Sequence, residues 1–171
     1  MSNVSSVLEF LATQLGERLH AIKGLVATAE SCTGGWIAEC LTSIAGSSAW
    51  FDRGFVTYSN EAKSDMLAVD PALIECFGAV SREVAEAMAV GAIQNSRAMI
   101  AVAVTGIAGP SGGTDEKPVG TVWIALIKKG ESPVSRVVHL KGDRRKIRYQ
   151  TVALALEGLL DLVQDPSDHS N

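Results

Sequence analysis

The run Thr28-Ala29-Glu30-Ser31-Cys32-Thr33-Gly34-Gly35 sets a carboxylate, three hydroxyls and a thiol beside paired glycines, directly after the apolar stretch Leu25–Ala29. A stretch of that length reads as a buried strand, and Thr33 to Ile44 reads as the helix that follows it. A hydroxyl at such a junction is lifted out of the sheet at its carboxyl edge, where open α/β sheets place ligands. The first-turn N–H groups of a helix lack internal partners and carry partial positive charge, so those around Cys32 and Thr33 suit an oxyanion or a phosphate. Gly34 and Gly35 strip side chains from the approach to that backbone. Two glycines in a first helical turn cost about 1 kcal/mol each against alanine, which favours a functional reason for them. The alternative is that Ser31 or Thr33 simply caps the helix.

A serine is inert until a base takes its proton. Phe51 to Ser59, rich in aromatic and β-branched residues, predicts a second strand. Tyr58 falls at its carboxyl end, and Lys63 one turn into a helix that starts at Asn60. Both can reach the edge that carries Ser31, and a lysine whose pKa is lowered by burial or by nearby cations serves as a base. The SxxK spacing of β-lactamases is absent, so taken alone Lys63 reads more readily as a solvated surface residue. Cys32 is the neighbouring nucleophile candidate, but no histidine sits near it in sequence to activate it.

Two further segments carry chemistry. Thr105 to Pro118, after the apolar strand Met99–Val104, holds Gly106, Gly109, Gly112 and Gly113. It matches neither a P-loop nor GxGxxG, and either shapes a pocket with its N–H groups or merely connects. Lys141 to Arg148 packs five cations and one anion at the start of a helix, with Arg144 and Arg148 on one face. Cations there oppose the helix dipole; Asp143 as N-cap offsets part of that and an anionic ligand would offset the rest. Arg145 and Lys146 read equally well as side chains extended into water.

The elements that must position these groups alternate along most of the chain. Helices are predicted over Val4–Lys23, Asn60–Leu67, Pro71–Phe77, from a Ser81 cap to Asn95, and over Asp143–Val163. Val119–Lys128 and Pro133–Leu140 read as strands joined too tightly to be parallel. The expected fold class is α/β: a three-layer α/β/α domain with a mixed, mostly parallel sheet of about five strands, spanning 1–164 before a polar tail at 165–171.

Composition narrows the chemistry. Of 171 residues, nineteen are acidic and fifteen Lys or Arg, a net charge of −4 and the wrong sign for a nonspecific nucleic-acid binder. Residues 141–148 alone carry +4, so the rest carries −8, a segregation that suits a small phosphorylated ligand. Mean hydropathy is +0.19, yet no apolar run approaches the ~20 residues of a membrane span. No basic region precedes the first apolar residues, so a cytoplasmic location without a signal peptide is expected. Three cysteines without a CxxC pair imply reduced thiols, and the three histidines fit no metal spacing; neither metal nor cofactor is expected.

Six ordered blocks, TAESCTGG at 28–35, FVTYSNEAK at 55–63, GAVS at 78–81, TGIAGPSGG at 105–113, KPVGTV at 117–122 and GDR at 142–144, resemble the CinA C-terminal domain family. The resemblance covers nearly the whole chain and is strongest to the stand-alone amidohydrolases of that family. It implies deamidation of nicotinamide mononucleotide to nicotinate mononucleotide and ammonia, in pyridine-nucleotide recycling. It further implies Ser31 as nucleophile, Lys63 as base acting directly or through Tyr58, and Thr105 lining the site. Glu30, Cys32, Thr33, Gly34, Gly35 and Gly106 are then expected around the substrate, with Arg144 and Arg148 from the family's closing pattern. Many relatives have Gly-Gly at Arg53-Gly54, so no role for Arg53 carries over. A homo-oligomer, a dimer favoured, is expected, with no nucleic-acid or membrane partner. The competing readings are a catalytically silent paralogue and a nucleotide- or nucleic-acid-binding module of the same fold.

Overall fold

Strand β1 (Val26–Glu30) is buried at every position, Thr28 and Glu30 included, as befits a central strand in an α/β sheet. Around it, a computed structural model describes residues 2–163. The elements in chain order are α1 (Ser2–Ala21), β1, α2 (Trp36–Thr42), β2 (Phe51–Val56), α3 (Asn60–Leu67), α4 (Pro71–Phe77), α5 (Arg82–Gln94), β3 (Ile100–Gly106), β4 (Thr121–Lys128), β5 (Val134–His139) and α6 (Arg144–Leu162). A single 3-10 turn, Ser47–Ala49, precedes β2. The expected polar tail, 165–171, lies outside the described residues.

The sheet order is β2-β1-β3-β4-β5. β1 pairs in parallel with β2 and β3, whereas β3–β4 and β4–β5 are antiparallel. Four strands therefore point one way and β4 alone runs back, the mixed and mostly parallel sheet expected of this sequence. Side chains alternate across the sheet. Ile100, Val102 and Val104 join residues of α1, α2 and α6 in one core. Ala27, Ala29, Ala101 and Ala103 face the other, which α5 fills with Val84, Met88 and its own alanines. Small residues on both sides let α5 sit close to the sheet. Gly91 extends this to α3, where a β-carbon would fall 2.1 Å from the Leu67 carbonyl oxygen. That close approach is what seats α3, and Lys63 with it, over the carboxyl edge of the sheet.

Caps fall where the sequence puts them. Ser81 accepts from Val84 N (3.3 Å) and Asp143 from Lys146 N (2.8 Å). Several boundaries shift by one to three residues, and two of these shifts bear on the site. β2 ends at Val56 rather than Ser59, although Thr57 N still donates to Glu30 O (2.8 Å). The helix expected from Thr33 starts at Trp36, because Gly34 and Gly35 have φ of +60° and +99°, a left-handed conformation incompatible with a right-handed first turn. The glycines are needed for that turn, not for clearing a helix surface.

The chain leaves β1 toward the α1–α2–α6 layer and leaves β2 toward the α3–α4–α5 layer. Diverging connections open a crevice beyond the carboxyl ends of β1, β2 and β3. Among the described residues no helix is long and apolar enough to cross a membrane.

Candidate active site

Lys63 is the largest fully buried side chain among the described residues, 1% exposed. Its Nζ lies 3.0 Å from Ser31 Oγ and 2.9 Å from the carbonyl oxygen of Thr57, with the carbonyls of Tyr58 (3.3 Å) and Ser59 (3.4 Å) beyond. No carboxylate pairs with it among the described residues. Burial without a counter-ion lowers its pKa from the ordinary lysine value. A neutral amine has two N–H donors and one lone pair. In that form the carbonyl oxygens can take the donors, which frees the lone pair for the Ser31 hydroxyl. α3 supplies this geometry by local means: its N-cap Ser59 accepts from Ala62 N (3.0 Å), and Lys63 is the first residue whose amide closes back on Ser59 O (3.3 Å).

Ser31 is 8% exposed and directly follows β1, its N–H on Val104 O (3.1 Å). The turn behind it is held from two sides. Glu30, fully buried, accepts at Oε2 from Gly35 N (3.1 Å), Ile37 N (3.0 Å) and Thr33 Oγ1 (2.5 Å), and at Oε1 from Ala38 N (2.8 Å). The carboxylate thus occupies the free N–H groups that open α2, since Gly35 itself offers no side-chain cap. Expected beside the substrate, Glu30 is instead spent on the protein's own backbone, and the start of α2 is closed to a phosphate. On the other side Arg148 donates from Nε to Cys32 O (3.1 Å) and from Nη2 to Thr33 O (2.8 Å), its guanidinium 5.4 Å from the Trp36 ring centroid. Arg148, too, was expected on the substrate and binds main chain. What remains without a main-chain partner among the described residues is the pair Cys32 N–H and Thr33 N–H, next to Ser31 in the chain.

Burial raises the Cys32 thiol to about 12, so it is protonated at neutral pH and no nucleophile. Cys32→Ser is therefore expected to retain turnover within about threefold, and iodoacetamide to leave the wild type active. Loss of activity in either measurement would restore the thiol as a candidate.

A cavity of about 240 Å³ opens over Ser31 and Lys63, walled by Tyr58, Ala79, Thr105, Gly106, Ala108 and Arg144, among others. Thr105 Oγ1 donates to Ala79 O (2.8 Å) and so ties β3 to the segment before α5. Tyr58 is 61% exposed, and its hydroxyl accepts from Arg144 Nη2 (3.0 Å) rather than meeting Lys63. A proton relay through that phenol is not what this geometry provides; Tyr58 helps Lys63 through its carbonyl. Arg144 also donates to Gly109 O (2.8 Å), spanning the mouth from α6 to the glycine-rich loop. It is shared with an adjoining cleft of about 450 Å³ between Trp36, Arg144, Arg145 and Arg148. Gly34 and Gly35 lie in the turn and outside the cavity wall. Arg53, without an assigned role, pairs with Asp52 (2.8 Å) on the surface. Asn60, Ala79, Val80 and Ala108 were missed as wall residues, although the blocks at 55–63, 78–81 and 105–113 contained them. No cluster of potential metal ligands occurs among the described residues.

Fold and site together define a three-layer α/β/α protein with a small pocket at the carboxyl edge of its parallel strands. Residues 8–163 match the model of the CinA C-terminal domain, and the chain belongs to that family. It is 51% identical over 154 residues to the nicotinamide-nucleotide amidohydrolase PncC of Escherichia coli K12, covering 90% of this chain and 93% of that one. The Pseudomonas putida protein of the same name is 54% identical over 89% of this chain and 94% of its own. In three dimensions the chain resembles the competence/damage-inducible protein of Agrobacterium tumefaciens, with a TM-score of 0.90 at 50% identity over 92% of this chain and 96% of that one.

Proposed function

We propose that the protein is a nicotinamide-nucleotide amidohydrolase that releases ammonia from nicotinamide mononucleotide by a Ser31–Lys63 acyl-enzyme route. The observation that carries it is the 3.0 Å contact between Ser31 Oγ and a lysine amine that is buried and without a counter-ion. The activity for which relatives about half identical over nine-tenths of the chain are named supports the choice of substrate.

Ser31 Oγ attacks the carboxamide carbon as its proton passes to Lys63 Nζ. The oxyanion meets Cys32 N–H and Thr33 N–H, donors fixed before the charge develops. Lys63 returns the proton to the departing nitrogen, which leaves as ammonia, and the nicotinoyl group remains on Ser31 as an ester. Water, deprotonated by Lys63, cleaves that ester to nicotinate mononucleotide and restores the serine. A pyridinium ring in the pocket disfavours a second cation beside it, which helps keep Lys63 neutral. The phosphate falls toward Arg144 and Arg145, whose cleft adjoins the pocket.

The test is ammonia release from nicotinamide mononucleotide. Wild type is expected to turn over and Ser31→Ala to lose about 10⁴-fold or more in kcat. An inactive wild type would leave the silent-paralogue or binding-module alternatives; an active Ser31→Ala would refute the nucleophile alone.

A further inference from the structure

Resting on the amidohydrolase assignment, we infer that Arg148 is a positioning residue that builds the oxyanion-binding backbone, not a group that holds substrate. Its guanidinium grips two consecutive carbonyl oxygens, Cys32 O and Thr33 O, across 115 residues of sequence. In a trans peptide the carbonyl and the N–H point to opposite sides of the plane. The bond from Arg148 Nε to Cys32 O therefore turns the N–H of the same peptide, that of Thr33, away from the arginine. The preceding peptide is fixed in the same manner, because Ser31 O accepts from Gly34 N (3.1 Å) and so directs Cys32 N–H. Both N–H groups are left without a main-chain partner among the described residues, immediately after the nucleophile; Cys32 is part of the pocket wall and Thr33 is buried next to it.

The arginine is itself held in place. Trp36 packs against its guanidinium at 5.4 Å, and Tyr149 packs on Trp36 with ring centroids 6.2 Å apart. With Nε–H and one Nη2–H both on the turn's carbonyls, that edge of the planar fork is taken and holds the guanidinium against the nucleophile turn. A cation on the carbonyl oxygens also polarises the peptides it touches, so their N–H groups donate more strongly. Arg144 has the opposite disposition: it lies at the pocket mouth, on groups that a substrate can displace.

The two arginines should separate in kinetics. Arg148→Ala is expected to lower kcat about 100-fold with KM within about threefold, the loss typical of one oxyanion donor. Arg144→Ala should raise KM about tenfold with a smaller change in kcat. Arg148→Lys, which keeps the charge but cannot bridge both carbonyls in plane, should recover no more than about tenfold of the loss. If Arg148→Ala does not fold, Arg148→Lys carries the same kcat-against-KM comparison. A raised KM with kcat retained, or an unchanged kcat, would overturn the inference. A second readout needs no turnover and survives failure of the amidohydrolase assignment: the amide resonances of Cys32 and Thr33 should shift in Arg148→Lys and stay in place in Arg144→Ala. Unmoved resonances in Arg148→Lys would also overturn it.

Discussion

Lys63→Met is expected to lower kcat by about 10⁴-fold, the upper range for loss of a positioned general base. Methionine fills nearly the same volume, so the change tests the amine and not a cavity. Because Lys63 is 1% exposed and faces only a hydroxyl and carbonyls, its neutral form is favoured by burial and its pKa lies below the ordinary 10.5. The wild-type kcat/KM should then rise with pH on an acid limb whose midpoint is below 10.5, and the residual rate of the variant should lack that limb. Stability carries the same signature with a defined sign. Between the folded and unfolded pKa values the unfolded chain binds a proton that the folded chain does not, so wild-type stability increases with pH across that window. Below it the folded state must bury the charge. Urea denaturation at several pH values should therefore show wild type gaining on Lys63→Met as pH rises toward 10.5. A variant within tenfold of wild type, or a stability gap that runs the other way, would remove Lys63 from the mechanism.

The layers, the mixed sheet and the approximate element bounds were legible because they rest on periodicity and caps, which are local. Asp143, Ser81 and the tight β4–β5 connection announce themselves within a few residues. Ser31 and Lys63 were legible as types at the carboxyl ends of strands, but their 3.0 Å contact depends on how closely α3 seats against α5. That closeness comes from the Gly91–Leu67 approach, a packing fact with no motif. The same limit explains Arg148. Read on its helix face beside Arg144, it suited an anion; its partners are main-chain carbonyls 115 and 116 residues away, and backbone leaves no trace in side-chain patterns. The turn at Gly34-Gly35 was misread as helix for a related reason, since periodicity from Trp36 onward extends backward unless a positive φ interrupts it. A clue to Glu30 was available: an acid at the end of a buried, mostly apolar strand, with no cation beside it in sequence, must find main-chain donors or remain unpaired.

Glu30 is where that clue turns into a large effect. Its carboxylate accepts from three backbone N–H groups and one hydroxyl, all within residues 33–38. Alanine would strand those donors around a void, a loss of about 3 kcal/mol or more. In a chain of this size that lowers Tm by about 10 °C. Glutamine is the sharper instrument. With its oxygen at the Oε2 position it keeps three of the four bonds, but its amide then presents N–H to the N–H of Ala38. Two donors facing each other in a buried site cost about 2 kcal/mol, and the strain falls on the first turn of α2. Turnover should drop in both variants with KM nearly constant, because the Ser31 turn loses its rear support and no substrate contact is removed. A carboxylate that held substrate would behave in the reverse way, raising KM at unchanged Tm. Calorimetry and steady-state kinetics on the same two proteins therefore distinguish a support of the nucleophile turn from a wall of the binding pocket.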